Sequence, residues 1–137
     1  MSKVLQGIRV LDFGRYIAGP FCGTLLGDMG AEVIRIEKVD GSEDRFLSPI
    51  SDSGDGALFM QLARNKLGMT LNPMKPEGQE IVKKLVATAD VVIANLPPDT
   101  LQRMGLDYDS LVAIKADIIL TTVSAFGRGG PYANRVG

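Results

Sequence analysis

A chain of 137 residues, 45% hydrophobic and 23% charged with a net charge of −1, has the size and make-up of one ordinary globular domain. The balanced charge excludes a basic nucleic-acid surface, and no apolar run is long enough for a membrane span or a signal-peptide core, so a cytoplasmic location is expected. One cysteine and no histidine exclude a disulfide framework, a Cys/His metal site and Cys-His nucleophilic catalysis, which leaves Cys22 as a small packed helix residue.

Residues 8–13 are nearly continuous in apolar character, as in a strand covered on both faces. Gly14 lets the chain turn, and Pro20 suits the first turn of a helix, where its missing N–H costs nothing. Phe21, Leu25, Leu26 and Met29 recur at helical spacing, and Gly30 stops the helix. A second strand over residues 32–37 follows after two residues, which fits only a compact βαβ crossover. Residues 38–56 are polar, acidic and longer than ordinary connections, the mark of a functional loop, a lid or a disordered stretch. A short helix over 57–64 and a modest strand over 68–71 come next. Pro76 opens a helix with Ile81, Val82, Leu85, Val86 and Ala89 on one stripe, Glu77 and Glu80 early, and Lys83 and Lys84 late to match the dipole. A strand over 91–94 ends before Pro97-Pro98, a short helix lies around 100–104, and Asp107 or Asp109 can cap a further helix through Ile114. Residues 118–123 are the last buried strand. Alternating strands and helices give an α/β class, a Rossmann-like open parallel sheet with helices on both faces.

Ligands of such sheets bind beyond the carboxyl ends of the strands, so the turn after the first strand is the first place to look. Glu37 closes the second strand where dinucleotide folds put their ribose acid. Gly14, Gly19 and Gly23 nevertheless do not give G-x-G-x-x-G, and Pro20 and Phe21 stand where bare backbone must approach a pyrophosphate. No P-loop occurs. Residues 51–56 superficially resemble a calcium loop, but with Gly56 as the sixth position the ligands would be Ser51, Ser53 and Leu62, and a solvated loop is the simpler reading. Gly127-Arg-Gly-Gly-Pro131 fits a turn as well as a ligand loop. Lys38 and Arg103 read first as surface charges, each beyond a strand end on the ligand side.

Taken together these blocks carry a resemblance. Leu5-Gln-Gly-Ile-Arg-Val-Leu-Asp-Phe13, Ala18-Gly-Pro-Phe-Cys22 and Leu26-Gly-Asp-Met-Gly-Ala-Glu-Val-Ile-Arg-Ile-Glu-Lys38 closely resemble the start of family III CoA-transferases, the family named for L-carnitine dehydratase and bile-acid-inducible protein F. It continues through Asn65-Lys66, Thr70-Leu71-Asn72, Pro76-Glu-Gly78, Ala89-Asp-Val-Val-Ile-Ala-Asn95, Arg103-Met-Gly105, Ser124-Ala-Phe-Gly127 and Gly130-Pro-Tyr132, and so covers the whole chain.

The resemblance implies a CoA thioester site held by Ile17 and Ala18 after the first strand, Lys38 after the second, Leu71, Asn72, Pro73 and Met74 after the third, Asn95, Leu96 and Pro97 after the fourth, and Arg103. Lys38 and Arg103 would answer phosphates with charge-assisted bonds. Oxalate-using members carry glutamine where this chain has Ile17, which argues against oxalate or formate. The family's nucleophile is an aspartate in a Gly-(Phe/Tyr)-Asp sequence, expected just beyond Gly137. It attacks the acyl-CoA carbonyl to give a mixed anhydride that CoA thiolate converts to an enzyme-bound thioester. No catalytic residue is therefore expected within the chain. It reads as a truncated N-terminal portion, residues 1–137, of the CoA-binding Rossmann-like large domain, inactive alone, with the small domain and catalytic segment absent. The resemblance also implies no tightly bound cofactor, acyl-CoA and a small carboxylic acid as substrates, no nucleic-acid or membrane partner, and an interlocked homodimer in full-length relatives; uncovered apolar surface would make this chain self-associate. The alternatives are a 2-methylacyl-CoA racemase, whose Gly-His-Asp sequence would supply a proton-exchanging base, and a noncatalytic CoA-binding remnant. The long 38–56 loop favours transferase.

Overall fold

The computed structural model describes residues 3–133 and 135. Gly137, and the aspartate expected after it, lie outside the described residues. Five strands, β1 (Arg9–Asp12), β2 (Glu32–Glu37), β3 (Leu67–Thr70), β4 (Val91–Ala94) and β5 (Ile119–Thr122), form one sheet in the order β3-β2-β1-β4-β5. Every neighbouring pair is parallel, with Leu11 opposite Ile34 on one side and Val92 on the other. The chain winds outward from β1 to β3, then returns to the far side of β1 as β4. In open parallel sheets a reversal of this kind is where the ligand crevice lies, here between the carboxyl ends of β1 and β4.

Strand alternation divides the core in two. Val10, Val33 and Ile93 face one side with Ala31, against Leu26 and Cys22 of α1 (Ala18–Asp28). Leu11, Ile36, Val92 and Ala94 face the other, under α3 (Pro76–Val86), α4 (Pro98–Met104) and α5 (Tyr108–Ile114). The α3 stripe behaves as its spacing dictates, with Val82 and Val86 at 1% and 0% exposure, although Ile81 sits on its edge and Ala89 just past its end. Asp107 is the α5 cap, accepting the Ser110 N–H at 3.1 Å.

Three expectations change. The short helix α2 stops earlier, as Ala57–Leu62. Among the described residues β5 lies at the edge of the sheet and is not buried: its partner is β4, and Ile119 is 58% exposed. Of the apolar stripe expected on α1, Leu26 packs against the sheet, but the other three positions face outward. Gly19, Pro20, Gly23, Thr24 and Gly27 are buried, while Phe21, Leu25 and Met29 are exposed. The cause is close approach: a Cβ on Gly23 would come within 3.0 Å of Asp12 Oδ2 and 3.2 Å of Lys66 Nζ, so the helix docks by its glycines.

Candidate functional site

The carboxyl edge of the sheet collects the loops after β1, β2, β3 and β4, since all five strands run the same way. The β1 loop is held from below and from the side. Asp12 is fully buried, and its Oδ1 accepts the Gly14 N–H at 2.8 Å while its Oδ2 accepts from Lys66 Nζ at 2.7 Å. Lys66 Nζ also donates to Pro20 O at 2.7 Å, tying strand end and helix start to one ammonium. Burial pulls that ammonium's pKa below its ordinary value, against the pull of Asp12. At the crevice between β1 and β4, Asn95 Oδ1 accepts the Arg15 N–H at 2.6 Å and Asn95 Nδ2 donates to Arg15 O at 2.9 Å. This two-way clasp mimics a strand partner, and a Cβ on Gly19 would strike Asn95 Oδ1 at 2.8 Å. Between the two supports Tyr16 is left-handed, with φ of 58°, a conformation that costs about 1–3 kcal/mol and persists where the surroundings impose it.

The β2 loop is stapled by buried charge. Glu37 accepts from Arg45 Nη2 at 2.8 Å and from the Ser42 N–H at 3.2 Å, and Arg35 Nη2 donates to Asp44 Oδ2 at 2.7 Å. Burial alone would raise the Glu37 pKa, but the Arg45 and Ser42 hydrogen bonds and the Arg35 charge outweigh it and hold the carboxyl below its usual value. Arg45 stacks on Phe59 of α2 at 3.8 Å and reaches Asp55 at 3.0 Å. The long segment thus folds back as a strap, with a 3-10 turn at Glu43–Phe46 and an antiparallel bridge between Ile50 and Gly56. Glu37 is fully engaged by these partners, which removes the ribose-acid reading on structural grounds.

Ile17 (58% exposed) and Ala18 stand open at the start of α1, and Lys38 is exposed and paired with Glu43. Asn72 and Met74 are exposed, with Asn72 Oδ1 accepting the Met74 N–H at 3.0 Å; Leu71 and Pro73 are buried, and the Leu71 N–H donates to Glu37 O. Asn95 and Leu96 are half-buried, and Pro97 leads into α4. Arg103, in the last turn of α4, reaches Met74 Sδ at 4.0 Å, bringing the β3 and β4 loops together. Sequence reasoning did not find Arg15, Asp12–Lys66 or the Arg35–Asp44 and Glu37–Arg45 pairs. The 54 positions between Asp12 and Lys66 leave no local signal, whereas a polar residue inside a βα turn, Arg15, was visible. The Cys22 thiol is pushed up by burial and the nearby Asp12 charge, in keeping with a packed residue.

A family model described as CoA-transferase family III matches residues 5–137. The chain belongs to that family. It is 42% identical over 135 residues to the succinyl-CoA–L-malate CoA-transferase beta subunit of Chloroflexus aurantiacus, covering 97% of this chain and 33% of that protein. It is 40% identical over 140 residues to the succinate–glutarate CoA-transferase of Agrobacterium fabrum, covering 97% and 35%. A crystal structure of a CAIB/BAIF family protein from Brucella suis superposes with a TM-score of 0.93 at 40% identity, over 100% of this chain and 37% of that one. The chain thus spans about a third of the length of the curated relatives it matches.

Proposed function

We propose that the protein transfers CoA between an acyl-CoA and a carboxylic acid, and that this region supplies the CoA-binding edge. The observation that carries the reading is the convergence of Ile17, Ala18, Lys38, Asn72, Met74, Asn95 and Pro97 onto the carboxyl ends of four adjacent parallel strands. Arg103 joins them through Met74. Exposed Lys38 and Arg103 answer phosphates, Ile17 and Leu96 offer apolar surface, and the Asn95 side chain, spent on the Arg15 backbone, shapes the turn.

The substrates are dicarboxylic acids and their mono-CoA thioesters, a reading supported by relatives whose names pair succinyl-CoA with L-malate and succinate with glutarate. The transfer runs through an aspartyl nucleophile outside the described residues. Of the buried carboxylates at this edge, Asp12 is locked by Lys66, Glu37 by Arg45 and Asp44 by Arg35, so none of these three is free to attack a thioester. A cytoplasmic, homodimeric enzyme belongs to the same reading, the exposed Phe21, Leu25 and Ile119 supporting assembly.

The test is to mix the full-length gene product with succinyl-CoA and either glutarate or L-malate and follow the thioesters by mass-resolved chromatography. A new thioester appearing in step with succinate release is expected. Exchange of the α-hydrogen of a 2-methylacyl-CoA in deuterium oxide, with no transfer, would instead establish the racemase.

A further inference from the structure

The carboxyl edge carries five cationic side chains around the β1 loop, and four of them are ion-paired: Lys66 with Asp12, Arg35 with Asp44 and Glu37, Arg45 with Glu37 and Asp55, and Lys38 with Glu43. Arg15 is the exception among these five; Arg103, farther along the edge, has no carboxylate partner among the described residues either, but it is exposed. Arg15 is half-buried, and its Nη1 donates to Phe13 O at 3.1 Å, Gly14 O at 3.0 Å and Ile36 O at 3.3 Å. Those three carbonyls close the ends of β1 and β2, so the guanidinium is parked over the strand ends beside the crevice. Its Nε and Nη2 donate to no described residue. A guanidinium presents five donors in a rigid fork suited to a carboxylate, and a half-desolvated one without a counter-charge is costly until an anion arrives. Burial, followed by repulsion from Arg35, already lowers its pKa, while Asp44, Glu43 and Asp12 act from a distance.

We infer that Arg15 is the specificity residue for the acyl group, its free guanidinium edge receiving the distal carboxylate of a dicarboxylic mono-CoA thioester. The assignment rests on the CoA-transferase reading above and adds to it which residue selects the acid. The exposed Lys38 and Arg103 suit the hydrated phosphates of CoA, whereas the half-buried Arg15 suits a carboxylate carried into the crevice on a short carbon chain. Charge selection of this kind discriminates strongly, since a ligand lacking the carboxylate leaves the guanidinium unpaired.

Calorimetric titration of the full-length gene product with CoA, succinyl-CoA and butyryl-CoA tests this, because butyryl-CoA has the same four-carbon chain with a methyl group in place of the carboxylate. The wild-type protein is expected to prefer succinyl-CoA to butyryl-CoA by roughly 10- to 100-fold. Arg15→Gln should abolish that preference and leave the affinity for free CoA in place, and Arg15→Lys should restore part of it. Equal binding of the two thioesters by the wild type overturns the inference with no variant needed. An equal loss of all three ligands in Arg15→Gln overturns it in favour of a phosphate contact or a prop for the turn. Should Arg15→Gln fail to fold, Arg15→Lys carries the comparison, a reduced preference for succinyl-CoA with CoA affinity intact counting for the inference, and an unchanged preference or an equal loss of all three ligands against it. Failure of the wild type to bind any of the three is a failure of the CoA-transferase reading itself.

Discussion

The two faces of the sheet are built on opposite principles. Under α3, α4 and α5 the core is filled by branched and aromatic side chains, with Leu11, Phe13, Val86, Val92, Leu106 and Leu111 all at 0% exposure, and stability comes from apolar burial. Beneath α1 the apolar cluster is small, the helix meets the sheet through glycines, and the space at its amino end is occupied by the Asp12–Lys66 pair. One face is held by packing; the other sets a turn in position by charge and close backbone contact. The candidate site lies above the second, where a displacement of a few tenths of an ångström in the Gly14 N–H or the Arg15 peptide would move the ligand loop itself.

The largest effect is expected from Lys66→Met. Its side chain is 1% exposed and that of Asp12 is 0% exposed, so the change strands a carboxylate in the interior at a cost of about 3–5 kcal/mol. Denaturant melts should show the loss, and the double variant Asp12→Asn with Lys66→Met should recover much of it, because both charges then leave together. If the single variant were as stable as wild type, the α1 face would not depend on charge and the comparison would collapse.

The glycines sharpen the same contrast. Leu111→Ala on the packed face should cost about 2–5 kcal/mol and leave ligand affinity alone. Gly23→Ala should cost less, about 1–3 kcal/mol, since the added Cβ meets Asp12 Oδ2 at 3.0 Å and Lys66 Nζ at 3.2 Å. Its larger consequence should be weakened CoA binding, because the pair that would have to shift is the one holding Gly14. Titration of both variants with CoA separates the faces, and equal effects on affinity would show that the edge responds only to global stability.

This contrast also explains what could be read from the chain. The strands β1, β2 and β4 and the α3 stripe announce themselves because large apolar residues recur at the period of the element that buries them. That is the logic of the packed face. On the α1 face the same rule misleads: Phe21, Leu25 and Met29 trace a regular stripe yet face outward, and the buried stripe of Gly19, Gly23 and Gly27 has no hydrophobic signature. The polar supports are equally silent, since Asp12 finds Lys66 and Asn95 finds Arg15 across separations of 54 and 80 residues. The carboxyl edge could be located from topology, and residues such as Lys38 and Arg103 from family resemblance. What shapes the β1 turn is long-range and polar, and only the folded chain brings it together.

The smallest expected effect on stability lies on the outer surface of α1, and it tests whether that surface is idle. Phe21 and Leu25 are 47% and 46% exposed, so replacing each with serine should change the unfolding free energy by no more than about 0.5 kcal/mol. A helix that turns its large apolar side chains to solvent does so at the expense of solubility unless something covers them, and the occupant consistent with the homodimer reading is a second copy of this chain. Sedimentation of the wild-type chain over a range of concentrations should therefore show association, and the Phe21→Ser, Leu25→Ser double variant should shift it toward monomer with an unchanged melt. A monomeric wild type would leave the stripe without a partner of its own kind. A double variant that unfolds would place these side chains in the structural core, and with that the division between a packed face and a docked face would fail.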